Sequence, residues 1–145
     1  MQLKDVMTPG VEVIAPEASI YEAAEKMSHL EIGPLPVCDG ERLVGMLTDR
    51  DITVRAVAAG RAPLTTLVRE VMTPDVVYGF DDQEVEDAAR LMEQYQIRRL
   101  LVRVNHHQQL VGMVALGDLA VHAGTRPVTA EVLAQVSAPG KAGRK

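Results

Sequence analysis

Apolar residues along this chain fall into two periods, and those periods alternate in the same order twice. Val11-Glu12-Val13-Ile14 alternates as a short strand, and Pro16-Glu17-Ala18 breaks it. Ile20, Ala23, Ala24, Met27 and Leu30 then recur at helical spacing, which predicts a helix with one buried face. Ser19 opens that helix as its N-cap, and Glu22, three residues on, completes a capping box. Gly33-Pro34 ends it. Leu35-Pro36-Val37 and Leu43 to Leu47 read as strands joined at an Asp39-Gly40 turn. A second helix runs from about Arg50 to Ala59 and stops at Gly60.

The second half repeats the order. Val76-Val77-Tyr78 is a strand, Asp81-Asp82 a turn, and Val85, Ala88, Ala89 and Met92 mark a helix face. Leu100 to Val104 and Leu110 to Val114 are strands joined by a longer hairpin, and Gly117 to Ala123 starts a helix. Each copy is therefore β-α-β-β-α, an α+β class built from tandem repeats. Short motifs confirm the duplication. Val6-Met7-Thr8-Pro9 recurs as Val71-Met72-Thr73-Pro74, 65 residues later (71 − 6), and Leu43-Val44-Gly45-Met46 recurs as Leu110-Val111-Gly112-Met113, 67 residues later (110 − 43). The expected organisation is a first motif over 1–60, a connection over 61–70 with a helical turn around Leu67, and a second motif over 71–124. A further helix from Val128 to Val136 and a frayed basic tail fall in 125–145.

A copy of about 60 residues is marginal for a core of its own, so the copies are expected to share one. The apolar fraction of 47% suffices for that, with aliphatic and Met filling, since aromatics are 3% and Trp is absent. Apart from Met1, the methionines pair at matching positions: Met7 with Met72, Met27 with Met92, Met46 with Met113. Recurrence at equivalent sites points to packing rather than metal binding. The net charge of −5 disfavours nucleic acid as a partner, which needs a basic surface. No apolar run reaches a membrane span and Met1 opens no signal peptide, so a cytoplasmic protein is expected. Cys38 is the single cysteine, expected as a half-buried thiol, with an intermolecular disulfide or a redox-sensitive thiol as the alternative. His29, His106, His107 and His122 show no metal-ligand spacing, and no Walker loop or nucleophile elbow is present; an enzyme is not expected.

Candidate chemistry sits where the third strand of each copy meets its second helix. In Gly45-Met46-Leu47-Thr48-Asp49-Arg50-Asp51, Thr48 offers a hydroxyl at a helix start and Asp51 a carboxylate that can accept from ribose hydroxyls. The same Thr48-x-x-Asp51 spacing is a capping box that needs no ligand. The second copy has Ala115 in place of the threonine yet keeps Asp118, which weighs against a purely capping role. Arg98-Arg99 stands where the first copy has Gly33-Pro34 (98 − 65, 99 − 65), just ahead of the strand at Leu100. Phosphate suits that arginine pair, and ion pairs with Asp49 or Glu93 are the structural alternative.

The paired Met-Thr-Pro starts, the Gly-x-x-Thr-x-x-Asp turn and the Ile-Arg-Arg-Leu-Leu-Val strand entry resemble a CBS-domain pair, or Bateman module, over residues 1–124. The resemblance implies two clefts between pseudo-twofold copies, a regulatory role without catalysis, and homodimers that form a four-copy disc. It implies adenosyl ligands (AMP, ADP, ATP or S-adenosylmethionine) with no required cofactor, and a regulated partner protein. By position, Thr48, Asp51, Val76, Val77, Arg98 and Arg99 would form a nucleotide cleft. Val11, Glu12, Gly33, Pro34 and Asp118 would form a weaker one. A ligand-independent homodimeric interaction module, and a redox- or metal-responsive protein using Cys38 and the histidines, are the alternatives.

Overall fold

The computed structural model describes residues 1–104 and 107–121. In chain order the elements are α1 (Leu3–Val6), α2 (Ile20–Leu30), β1 (Pro34–Asp39), β2 (Arg42–Thr48), α3 (Asp49–Asp51), a π-helix (Ile52–Val57), α4 (Val68–Val71), β3 (Tyr78–Phe80), α5 (Val85–Tyr95), β4 (Arg99–Arg103), β5 (Leu110–Ala115) and α6 (Leu116–Val121). The expected helix over Val128–Val136 and the basic tail lie outside the described residues. Among the described residues, no helix is long and apolar enough to cross a membrane.

The chain divides into two compact units, and these are out of phase with the sequence repeats. Glu12–Val76 forms one unit, which we call the inner unit. Met1–Val11 joins Val77 onward in the other, the outer unit. Each unit therefore takes its opening segment from one sequence copy and its sheet and long helix from the other.

Matched hydrogen bonds fix this exchange. In the outer unit, Leu3 N–H donates to Gln83 O (2.9 Å), Lys4 N–H to Asp81 O (3.0 Å) and Val85 N–H to Met1 O (3.1 Å). In the inner unit, Val68 N–H donates to Ala18 O (2.8 Å), Arg69 N–H to Pro16 O (3.0 Å) and Ile20 N–H to Thr66 O (2.9 Å). The recurring Met-Thr pairs then lie on the recurring Gly-Met strands. Thr8 and Met113 exchange two backbone bonds (2.8 and 3.0 Å), and Thr73 and Met46 do the same (both 2.9 Å). Short carboxylates open the exchanged helices. Asp5 accepts from Gln2 N–H (2.9 Å) and Glu70 from Leu67 N–H (2.7 Å). That backbone donor, together with Arg61, holds the Glu70 carboxyl below its ordinary pKa.

Each unit has its own core. In the outer unit Val85, Ala88, Ala89 and Met92 of α5 pack with Leu3 and Val6 of α1 and Leu100, Val102 and Val114 of the sheet. In the inner unit Ile20, Ala23 and Met27 of α2 pack with Val68 and Val71 of α4 and Leu35, Val37 and Leu47. The expected shared core is thus corrected to two cores, each made from both copies. The α5 face is as its spacing predicts. On α2, Ala24 and Leu30 are exposed, because the buried stripe is only as wide as Ile20, Ala23 and Met27. That helix ends at Leu30, ahead of Gly33-Pro34, with Glu31 in the left-handed region (φ 54°); Gln96 ends α5 in the same way (φ 56°).

The sheets differ for a reason visible in the residues. β3 pairs parallel with β4, which pairs antiparallel with β5, giving the order β3-β4-β5. The inner sheet contains only β1 and β2, because the strand expected at Val11–Ile14 reduces to one bridge between Ile14 and Val37. Asp81 N–H donates to Arg103 O (2.9 Å) and extends the outer ladder, but the inner equivalent of Asp81 is Pro16. Pro36 likewise stands where β4 has Leu101. Proline has no N–H, so the ladder stops on both sides of Ile14. The expected strand at Val76 begins instead at Tyr78.

The helix expected over Arg50–Ala59 is one α-turn followed by π-helix. Ala58 N–H reaches Thr53 O (3.0 Å) and Arg61 N–H reaches Ala56 O (2.9 Å), each five residues back.

The exchange requires glycine at two positions. A Cβ on Gly45 would lie 2.6 Å from Met72 Sδ and 3.0 Å from Thr73 O; on Gly112 it would lie 2.7 Å from Met7 Sδ and 2.9 Å from Thr8 O. Gly45→Ala is expected to destabilise the chain by roughly 1–3 kcal/mol in urea unfolding. Gly117→Ala, whose Cβ would meet nothing within 4 Å, is expected to be neutral or slightly stabilising in its helix.

Candidate functional site

The strand-to-helix turns carry most of the polar groups singled out in the sequence. β2 ends at Thr48, where the chain turns into α3. Thr48 Oγ1 accepts from Asp51 N–H (3.1 Å), and Asp51 Oδ2 accepts from Thr48 N–H (2.9 Å), a complete reciprocal cap. The hydroxyl proton of Thr48 remains a donor. Asp51 Oδ1 is outside the cap, 3.9 Å from Arg55 Nε, one helical turn on. The Arg55 guanidinium also donates to the carbonyls of Val71 (3.2 Å) and Met72 (3.3 Å), so it ties this turn to the end of α4.

The outer unit builds the same turn with half the cap. Asp118 Oδ2 accepts from Ala115 N–H at 2.8 Å. This corrects an inference from the sequence. Asp118 persists without a threonine because the carboxylate half of the box needs only a backbone N–H at the cap position. Retention of that aspartate therefore does not count against capping.

Arg98 precedes β4, Arg99 begins it, and both are exposed. Leu116 N–H donates to Arg98 O at 2.8 Å, which sets the arginine pair against its own unit's turn. Arg98, Arg99, Ala115, Leu116, Gly117 and Ala120 line an open cleft of about 260 Å³. The inner unit repeats the backbone contact, with Asp49 N–H donating to Gly33 O (3.0 Å). There the Asp49 carboxylate fills the space beside Gly33, its oxygens 3.2 Å from where a Cβ would be.

Within single units, then, Gly33 and Pro34 go with the Thr48–Asp51 turn, and Arg98 and Arg99 with the turn that holds Asp118. Of the remaining candidates, Glu12 and Val76 belong to the inner unit and Val11 and Val77 to the outer. Val77 packs against the outer core, and Glu12 pairs with Lys26 at 3.5 Å. Asp49 and Arg55 were not singled out as ligand-facing groups. An acid pair flanking Arg50, and an Arg four residues after Asp51, were the available signals.

Cys38 is buried rather than half-buried, and burial pushes its thiol above the ordinary pKa. His29 and His107 are exposed, while His106 and His122 lie outside the described residues. Among the described residues, no three His, Cys, Asp or Glu side chains gather as a metal site.

If the cap is structural in both units, Thr48→Ala should lower unfolding free energy by about 1 kcal/mol, and Ala115→Thr should raise it by up to a similar amount. Urea unfolding of the two variants measures both.

The CBS domain family model matches residues 3–57 and 68–123. The chain is 43% identical over 135 residues to the CBS domain-containing protein YhcV of Bacillus subtilis, covering 93% of this chain and 94% of that one. It is 37% identical over 120 residues to Hypoxic response protein 1 of Mycobacterium tuberculosis, covering 82% of each. A crystal structure of Hypoxic Response Protein I with two coordinated zinc ions superposes with a TM-score of 0.76 at 35% identity, covering 84% of this chain and 98% of that one. CBSX2, solved in complex with AMP, superposes with a TM-score of 0.69 at 28% identity, covering 83% and 93%. With both repeats matched and each turn in place, this chain belongs to the CBS domain family.

Proposed function

We propose that the chain is a regulatory module without catalytic activity of its own, and that it binds an adenosyl ligand. The observation that carries this reading is the Thr48–Asp51 turn. The cap leaves a hydroxyl proton on Thr48 and a carboxylate oxygen on Asp51 available, a donor and an acceptor suited to a phosphate and a ribose. The AMP carried by CBSX2 supports the choice of ligand class. AMP, ADP, ATP and S-adenosylmethionine are the ligands to test. Binding would bias the orientation of the repeats or the contact with a regulated partner protein.

A ligand held a hundredfold above its Kd adds about 2.7 kcal/mol of apparent stability. At least one of the four compounds at millimolar concentration should therefore raise the melting temperature, and Asp51→Ala should abolish the rise. Four unmoved melting curves would overturn the reading.

A homodimer is supported by a separate observation. Val54 and Val57 are 52% and 64% exposed on the π-helix, an apolar face suited to a second copy. Sedimentation should give a dimer, and the Val54→Ser, Val57→Ser variant a monomer.

A further inference from the structure

Asp51 and the end of α4 share one cation. Asp51 Oδ2 is committed to Thr48 N–H (2.9 Å), and Oδ1 lies 3.9 Å from Arg55 Nε, an ion pair too long for a hydrogen bond. Arg55 Nη1 donates to Val71 O (3.2 Å) and Met72 O (3.3 Å), carbonyls at the point where the four-residue helix α4 ends. The second of these carbonyls belongs to the Met72–Thr73 peptide. The N–H of that same peptide donates to Met46 O at 2.9 Å in the joint. One planar group thus has its oxygen held by Arg55 and its hydrogen held by the strand that leads to Thr48. The contacts close a circuit within the inner unit: from Met46 along β2 to Thr48 and Asp51, across to Arg55, and back through one peptide to Met46. The Asp51 side chain is 16% exposed, so solvent screens its charge from Arg55 only in part.

From this circuit we infer that Arg55 is a positioning residue that carries occupancy of Asp51 to the joint. A hydroxyl that donates to Asp51 Oδ1 takes up part of the carboxylate's charge. The guanidinium, less attracted to Asp51, then bonds more strongly to Met72 O. A stronger bond at that oxygen polarises the peptide and strengthens the bond made by its N–H. The Met46–Thr73 contact tightens without Arg55 touching the ligand. Arg55 lies in the π-helix, a form frequent at functional sites. The repeat has His122 at this place (55 + 67), a residue without a fixed charge, so a permanent cation here is a property of the first copy. The inference rests on the adenosyl reading for the hydroxyl donor, but the circuit itself can be tested without a ligand.

Native-state amide hydrogen exchange of the full chain, read by NMR, tests this with Thr8 N–H as internal reference. Thr8 donates to Met113 O at 2.8 Å in the equivalent joint, so general stabilisation by a ligand slows both amides alike. Saturating AMP is expected to slow Thr73 at least about threefold more than Thr8. In Arg55→Gln that excess should vanish, and Arg55→Lys should retain part of it. Without ligand, Asp51→Asn removes the carboxylate's charge and is expected to give the same excess, absent from the Asp51→Asn, Arg55→Gln double variant. Equal slowing of both amides, or an excess that survives Arg55→Gln, would overturn the relay. So would faster exchange at Thr73, which would show the guanidinium drawn to the ligand. The comparisons in AMP and in Asp51→Asn need no change at Arg55, so they decide the matter if Arg55→Gln does not fold. If AMP leaves every amide unchanged, AMP is lost from the adenosyl reading and Asp51→Asn alone decides the relay.

Discussion

Two strands in this protein have to accept a foreign backbone at close range. Met46 and Thr73 exchange hydrogen bonds of 2.9 Å in both directions, and Thr8 and Met113 exchange bonds of 2.8 and 3.0 Å. Both approaches occur beside a glycine, at a separation that a single methyl group would forbid. Much else follows from this contact. It holds the exchanged helices α1 and α4 against cores built from the other copy, and it lies two residues before the ends of β2 and β5, where the polar turns begin. The recurring Met-Thr-Pro and Leu-Val-Gly-Met motifs are therefore two halves of one joint, each half supplied by a different copy.

On this symmetrical frame the side chains diverge. Arg103 lies over Tyr78, 4.0 Å from the ring centroid, beside Phe80, and it also donates to His107 O. The equivalent inner positions are Cys38, Val13 and Ala15. One unit thus closes its sheet with a cation stacked on aromatic rings and the other with a buried thiol. Divergence at the turns is of the same kind. The backbone joint constrains main-chain geometry and leaves charge at Gly33/Arg98 and Asp49/Leu116 unconstrained, so charge is where the two halves can take different roles.

The duplication, the α5 face and the two hairpins were legible in the sequence because each depends on local periodicity or a short motif. The exchange was not. A repeat shows that two segments are equivalent, and equivalence says nothing about which copy a segment packs on. Helix α1 escaped for a related reason. Four residues carry no periodicity, and Leu3 and Val6 become informative only once α5 is seen beneath them. The strand at Ile14 has a strand's pattern, yet its ladder fails through prolines at 16 and 36 that act on its partners' positions as much as on its own. At the site, Thr48, Asp51, Arg98 and Arg99 were visible as residue types. Their grouping within units, and the service of Asp118 as a lone cap, required the backbone.

The exchanged opening segments also impose a rule of parity. Each repeat offers one segment and has one place to receive one. Two repeats in a chain close that exchange on themselves. A single repeat would leave its strand uncovered unless it traded segments with a second molecule, and a third repeat beside a closed pair would leave both its own place and its own segment without a partner. For this architecture the unit of folding, of duplication and of loss is therefore the pair.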